Sequence, residues 1–203
     1  MARTKAAEIA RETTNRELLG AALKVFVEKG YPATTISDIV RAAGVTQGTF
    51  YLYFKNKTGI FSELLKEYRR LTISGLFNVR LETVTTKKDW LKMADRVAEF
   101  LLDHIETHGD FMRLFIAEAE TIGSDFIEEA TAFSAGITGE IGRILRHGEK
   151  VGLLRSIDVD AVALSDFGAL KEAIRQSCFS NGSIHPEDII PRVIRSQAEL
   201  VLK

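Results

Sequence analysis

The chain has 203 residues, 45% hydrophobic and 27% charged, with a net charge of −1. That balance excludes a disordered polyelectrolyte and suits one large helical domain, or a small domain fused to a larger one. The single cysteine, Cys178, excludes an intrachain disulfide, and a lone thiol fits a reducing cytoplasm.

No apolar run is long enough to span a bilayer, so no membrane partner is expected. The stretch MARTKAAEIARETTNRE is charged and lacks the apolar core of a signal peptide, which adds to the expectation of a cytoplasmic protein. Charge is unevenly placed. Residues 1–70 hold 12 basic and 7 acidic residues, and the remainder holds 15 and 21. A basic end on an acidic body suits a nucleic-acid partner that meets the first part only, although scattered surface charge would give similar counts.

In chain order, Leu18, Leu19, Ala22, Val25 and Phe26 recur at helical spacing between about Asn15 and Lys29, and Gly30 stands at the stop. Thr35, with Asp38 three residues on, forms a variant capping box for a short helix that ends at Gly44. Thr46 caps a helix of about two turns to Tyr53, and a long helix follows from about Lys57 to Leu81. The first elements are too short to stand alone and hold only by packing on one another. Helix, glycine turn and short second helix is the sequence form of a helix-turn-helix, whose second helix enters the DNA major groove.

In GVTQGTFYLYFKNK, residues 44–57, Phe50 and Phe54 lie four apart and are assigned to the core with Val45, Ile36 and Ile39. Gln47 and Tyr51, also four apart, share another face with Gly48 and Leu52, which is the expected reading face. Gln47 suits a base edge, Gly48 permits close approach, and Thr49 and Leu52 suit thymine methyls. The polar groups of Thr46, Tyr51, Tyr53, Lys55 and Lys57 suit phosphate oxygens. Lys57 also opens a helix whose first amides favour phosphate. The rival reading makes Tyr51 and Tyr53 rim residues of a helical core.

The stretch TTISDIVRAAGVTQGTFYLYFKNKTGIFSELL, residues 34–65, resembles the DNA-binding signature of TetR-type transcription regulators. Val40, where Ala is usual, and Gly59, where Glu is common, depart from the pattern. The resemblance implies an all-α chain, with residues 1–56 as a three-helix DNA-binding domain and 57–203 as a larger ligand-binding and dimerisation domain. It also implies a homodimer on a palindromic double-stranded operator, released by a small-molecule effector. The DNA-facing set is then Thr35, Thr46, Gln47, Gly48, Thr49, Tyr51, Leu52, Tyr53, Lys55 and Lys57.

In the body, helices are expected at about Lys87–Thr107, Asp110–Thr121, Ser124–Lys150, Asp158–Phe179 and Pro186–Leu202. The regular part of the last is expected only from near Ile190, because Pro191 sits deep in it. The helix from Lys87 is apolar on two adjoining faces and so is enclosed by neighbours. Trp90, Met93, Val97, Phe100, Phe111, Phe115 and Phe133, with Phe126, are candidates for an apolar effector cavity, and His104 and Arg113 are its expected polar groups. Solid core is the rival reading. The resemblance assigns Phe167, Leu170, Ile174, Val193, Ile194, Leu200 and Val201 to a four-helix dimer interface.

Gly136, Gly139 and Gly142 repeat inside one helix, suggesting close helix approach, ligand space or a break. His104 and His108 are four apart but lack an obvious third ligand, so no metal and no cofactor is expected. With no Ser-His-acid order, phosphate loop or paired-carboxylate site, an enzyme is not expected. A helical-bundle enzyme and a protein-binding scaffold remain the alternatives to a repressor with an apolar or aromatic effector.

Overall fold

A computed structural model describes residues 2–76, 78–118 and 127–203. Phe126 and the expected helix limits Thr121 and Ser124 lie outside these residues. The described residues form eight α-helices: α1 Ala2–Lys29, α2 Ile36–Ala43, α3 Gln47–Tyr51, α4 Lys57–Leu76, α5 Lys87–Glu118, α6 Ile127–Lys150, α7 Val159–Phe179 and α8 Pro186–Leu200. A 3₁₀ turn spans Leu81–Thr83. The one extended pairing among the described residues is an isolated antiparallel bridge, Leu154 to Leu202. The chain is all-α, as its sequence implies.

Several boundaries differ from expectation for local reasons. α1 begins at Ala2 rather than near Asn15. The Thr13 hydroxyl donates back to the Ile9 carbonyl at 2.9 Å, so the threonine does not start a new helix. The two helices expected on either side of His108 and Gly109 are one helix with a kink, where His108 takes φ −124° and ψ 16°. α8 is regular from Pro186, which occupies the first turn where a missing N–H costs nothing. Amides of Asp188 and Ile189 donate to the His185 carbonyl at 3.1 and 3.2 Å. Pro191 lies inside the helix and forfeits one backbone bond, while the neighbouring Ile190 is fully buried.

The chain divides into two compact units, Met1–Tyr68 with Leu114–Glu129, and Arg69–Arg113 with Ala130–Lys203. In the first, Leu18, Phe26, Ile39, Phe50, Ile60 and Phe61 are buried. Phe26 and Phe61 meet edge to face at 5.1 Å between centroids, and Tyr31 packs against both.

In the second unit, one cluster gathers Trp90, Met93, Leu145, Leu154 and Val201, and another gathers Leu76, Ala98, Leu101, Ile137 and Ile190. Trp90 is fixed by its indole N–H, which donates to the Ala198 carbonyl at 3.0 Å. The expected glycine stripe has no common role. α6 is continuous, and a Cβ on Gly136 would come within 2.6 Å of Ile73, but one on Gly139 would meet open space. Gly148 is hemmed in by two side chains, since a Cβ there would lie 2.7 Å from Leu154 and 2.8 Å from Trp90.

Candidate nucleic-acid interface and effector cavity

α2 is fixed at its start by a reciprocal capping box. Thr35 Oγ1 accepts from the Asp38 amide, and Asp38 Oδ2 accepts from the Thr35 amide at 3.0 Å. The other carboxylate oxygen of Asp38 receives Lys29 Nζ at 2.7 Å and the Arg41 guanidinium at 3.0 Å. The Lys29 ammonium, followed by the Thr35 hydroxyl and amide, holds the Asp38 carboxyl far below the usual carboxylate range. The end of α1 and the start of α2 are thereby tied by one side chain. Gly44, at φ 68°, ends α2 in the left-handed conformation that the turn requires. Thr46 then caps α3 by accepting from the Thr49 amide at 3.1 Å.

α3 is shorter than expected, five residues rather than two turns. The amides of Leu52 and Tyr53 donate to the Thr49 and Phe50 carbonyls, i to i+3 bonds that tighten the exit. Phe50 is fully buried and Phe54 is buried, as their spacing implies. Tyr51 and Leu52 are 55% and 75% exposed, and Gln47 and Gly48 are also exposed. Thr35, Thr46 and Lys55 are exposed too, whereas Thr49 and Tyr53 are half-buried.

Two expected DNA contacts are engaged within the chain. Gln47 Nε2 donates to Ser37 Oγ at 2.9 Å, linking α3 to α2. The ammonium of Lys57 donates to the carbonyls of Tyr31, Thr34 and Pro32 at 2.7, 2.8 and 3.2 Å, and lies 4.4 Å from the centre of the Tyr31 ring. Lys57 therefore locks the α1–α2 turn, a role its position at the start of α4 did not disclose. α4 is instead capped by Asn56, whose side-chain oxygen accepts from the Gly59 amide at 2.8 Å. That cap compensates for the absence of Glu at Gly59.

Sequence reading missed Ser37 and Arg41, exposed and four apart on α2. The polar i, i+4 pair, on a helix whose other residues apart from Asp38 are apolar, was the available signal. Arg11 and Asn15 line an open groove with Tyr53 and Lys55, whose wall also carries Glu8, Glu12 and Glu63.

Some of the candidate effector residues line a cavity among the described residues. Trp90, Met93 and Val97 line an apolar cavity of about 110 Å³ within the second unit. Phe100, His104, Phe111 and Phe133 do not line it. Phe100 packs so tightly over Gly75 that a Cβ there would lie 2.2 Å from its ring. Phe133 packs in the cluster with Leu76. Phe115 belongs to the first unit. Arg113 is exposed in an open polar recess with Cys178 and His185.

His104 is buried, and its Nε2 shares a hydrogen bond of 3.0 Å with Thr72 Oγ1. Burial, and secondarily His108, lowers its pKa to about 4, so the ring is neutral at pH 7. The His104 and His108 rings lie 4.6 Å apart, and no group of three potential metal-ligating residues forms among the described residues. Asp166 and Gln197 line the cavity without having been anticipated. The signal for Asp166 was its place on the inward stripe Ala163, Asp166, Leu170, Ala173 of α7.

Of the candidate dimer residues, Ile194 and Val201 are buried within their own chain and are unavailable to a partner. α8 carries apolar residues at 190, 193, 194, 198, 200 and 201, so spacing alone does not say which face turns inward. Phe167, Leu170, Ile174 and Val193 are half-buried, and Leu200 is 62% exposed. Leu164 on α7 is exposed as well and was not anticipated.

A capped brace helix, a left-handed glycine turn and a short second helix with an exposed face make up a helix-turn-helix. Residues 18–64 match the bacterial regulatory proteins of the tetR family. That match covers 47 of the 203 residues. The chain is 38% identical over 92 residues to the uncharacterized HTH-type transcriptional regulator YdgC of Bacillus subtilis (strain 168), a match covering 43% of this chain and 47% of that protein. It is 28% identical over 162 residues to the fatty acid metabolism regulator protein of the same organism, covering 78% and 80%. The fold matches the fatty acid degradation regulator FadR from Bacillus halodurans with a TM-score of 0.78 at 19% identity, over 91% of this chain and 94% of that one. No described helix is long and apolar enough to cross a membrane.

Proposed function

We propose that this protein is a repressor that binds a palindromic DNA operator as a homodimer and leaves it when a small apolar or aromatic effector occupies the second unit. In this reading residues 1–56 meet DNA and 57–203 dimerise and bind the effector. The observation that carries it is the outward face of α3. Tyr51 and Leu52 stand in solvent while Phe50 beneath them is fully buried, so the fold spends an aromatic and an aliphatic side chain on a surface it does not use itself. Gly48 on that face adds support. A Cβ there would come no nearer than 3.7 Å to any neighbour, the Thr46 hydroxyl. The fold does not require glycine at this position; close approach to a duplex does.

Gln47 reads a base edge after exchanging its Ser37 partner, and Thr49 and Leu52 touch methyl groups. Thr35, Thr46, Tyr51, Tyr53 and Lys55 meet phosphates. Lys57 acts indirectly, by holding the turn. The apolar lining of the cavity and the name of the fatty acid metabolism relative support an apolar effector. A ligand that fits one dimer arrangement better than the other shifts the population away from the DNA-binding one.

Selection from random duplexes tests the reading. The expected product is a two-fold symmetric site with half-sites about 34–36 Å apart, one DNA turn. Failure to enrich any duplex overturns it. On the selected duplex, Gly48→Ala is expected to keep or raise thermal stability and to weaken binding at least tenfold by fluorescence anisotropy. Unchanged affinity would remove α3 from the interface.

A further inference from the structure

The cavity of the second unit is walled by Leu76, Val97, Ile141, Leu170 and Ile194, among others, and its lining includes a single ionisable residue, Asp166. The other donors on the wall have partners within the chain. The Trp90 N–H goes to the Ala198 carbonyl at 3.0 Å, and the Gln197 amide nitrogen donates to the backbone carbonyl of Asp166 at 3.1 Å. Among the described residues none donates to the Asp166 carboxyl or pairs with it. The carboxyl sits on the same stripe of α7 as the buried Ala163 and Ala173. Burial alone raises its pKa, to about 6, so at pH 7.5 the cavity holds a carboxylate without a counter-charge.

An apolar pocket with one unanswered negative charge is complementary to a particular ligand. It suits an apolar body of modest size carrying an N–H⁺ group, which would give the half-buried carboxylate a hydrogen bond and a counter-charge. A neutral ligand leaves the carboxylate unanswered, and an anionic one adds repulsion. A cavity of about 110 Å³ is somewhat smaller than a void of roughly 150 Å³ that accepts benzene. The occupant, or the part of it held here, is therefore a few carbon atoms with the charged nitrogen. We propose that the cavity recognises a small hydrophobic cation, an alkylammonium or compact arylammonium, through the Asp166 carboxylate. The inference rests on the reading that the effector occupies the second unit, and names its chemical class.

The test compares n-butylamine, 1-butanol and butyrate binding to the full chain at pH 7.5, by saturation-transfer NMR and calorimetric titration. Butylammonium is expected to bind at least tenfold more tightly than 1-butanol, with butyrate weakest. Its affinity is expected to fall as pH drops through about 6, since Asp166 titrates there and no other ionisable residue lines the cavity. Asp166→Asn is expected to lose at least tenfold in butylammonium affinity and nothing in 1-butanol affinity. The ligand series and pH profile of the unaltered protein stand even if that variant fails to fold.

Butanol or butyrate binding as tightly as butylammonium, no binding by any of the three, or full affinity in Asp166→Asn overturns the proposal. Operator release distinguishes this inference from its premise. Butylammonium binding that leaves the operator complex intact sinks the effector reading and keeps the cation site. Release by a neutral or anionic ligand, insensitive to Asp166→Asn, keeps the effector reading and sinks the cation site.

Discussion

Two lysines two positions apart, Lys55 and Lys57, look equivalent in sequence and are not. Lys55 is exposed, whereas the Lys57 ammonium sits on three carbonyls of the α1–α2 turn. These charge-assisted bonds satisfy acceptors that the turn leaves without helical partners. Lys57→Met keeps the apolar stem and removes the donors. It is expected to lower stability by about 2–3 kcal/mol in urea denaturation, and to leave the salt slope of operator binding unchanged once the protein is folded. Lys55→Ala is expected to do the reverse, keeping stability and reducing that slope by about 1 for each lost phosphate contact. Matching effects of the two substitutions in both assays would refute the division of labour.

The buried His104 and the half-buried Asp166 have opposite pH signatures over an overlapping window. The pKa of His104 is lowered to about 4, so the unfolded chain binds more protons than the native state as pH falls from about 6.5, and stability drops. The pKa of Asp166 is raised to about 6, so between that value and its unfolded pKa of about 4 the native state binds more protons, and stability rises on acidification. The two partly cancel in the unaltered protein. Asp166→Asn removes the compensating half. It is expected to be more stable than the unaltered protein at pH 7.5 and to lose stability more steeply between pH 6 and 4, as measured by thermal denaturation across pH. Parallel pH profiles would show that Asp166 does not titrate in this window.

At the scale of the element, legibility followed local chemistry. The capping box of Thr35 and Asp38, the left-handed Gly44 and the Thr46 cap are short-range devices whose residue types name the geometry, and α2 and α3 were placed from them. The spacing of Phe50 and Phe54 likewise gave the inward face of α3. What spacing did not disclose depends on partners distant in sequence: the Lys57 lock 23 to 26 residues from its acceptors, the inward face of α8, and the place of Asp166 and Gln197 on the wall of the cavity.

Glycines in α6 show the same limit. Gly139 and Gly148 look alike in sequence, yet a Cβ meets nothing within 4 Å at Gly139, while at Gly148 it meets Leu154 and a hydrogen-bonded Trp90. Gly139→Ala is expected to stabilise by up to about 1 kcal/mol through helix propensity. Gly148→Ala is expected to destabilise by about 1–3 kcal/mol through overpacking, less that same propensity gain. Chemical denaturation of the two variants checks the contrast, and a shared sign would contradict it.

For the whole molecule, the proposed operator symmetry requires a two-fold partner, and the exposed apolar surface of the last two helices is the place to test for one. Leu164 on α7 is 65% exposed and Leu200 on α8 is 62% exposed. Between them in type are small residues that lie open on α7: Ala161, Ser165, Gly168 and Ala169 are all exposed. Small residues beside a projecting leucine allow helices of two copies to approach closely and interdigitate. Ile194 and Val201 make the control, because they belong to the core of a single chain.

Leu164→Asp places a charge on the proposed interface without touching that core. It is expected to shift the protein from dimer to monomer in sedimentation equilibrium, with helical circular dichroism retained. Operator affinity is expected to fall at least a hundredfold, since each half-site then binds alone and the benefit of linkage is lost. Val201→Asp instead buries an unpaired charge within the chain and is expected to lose helical signal and dimer together. A Leu164→Asp protein that remains dimeric with full operator affinity would move the two-fold axis away from this face of α7. An unaltered protein that is monomeric, and still selects a palindrome, would remove the preformed dimer from the proposed mechanism.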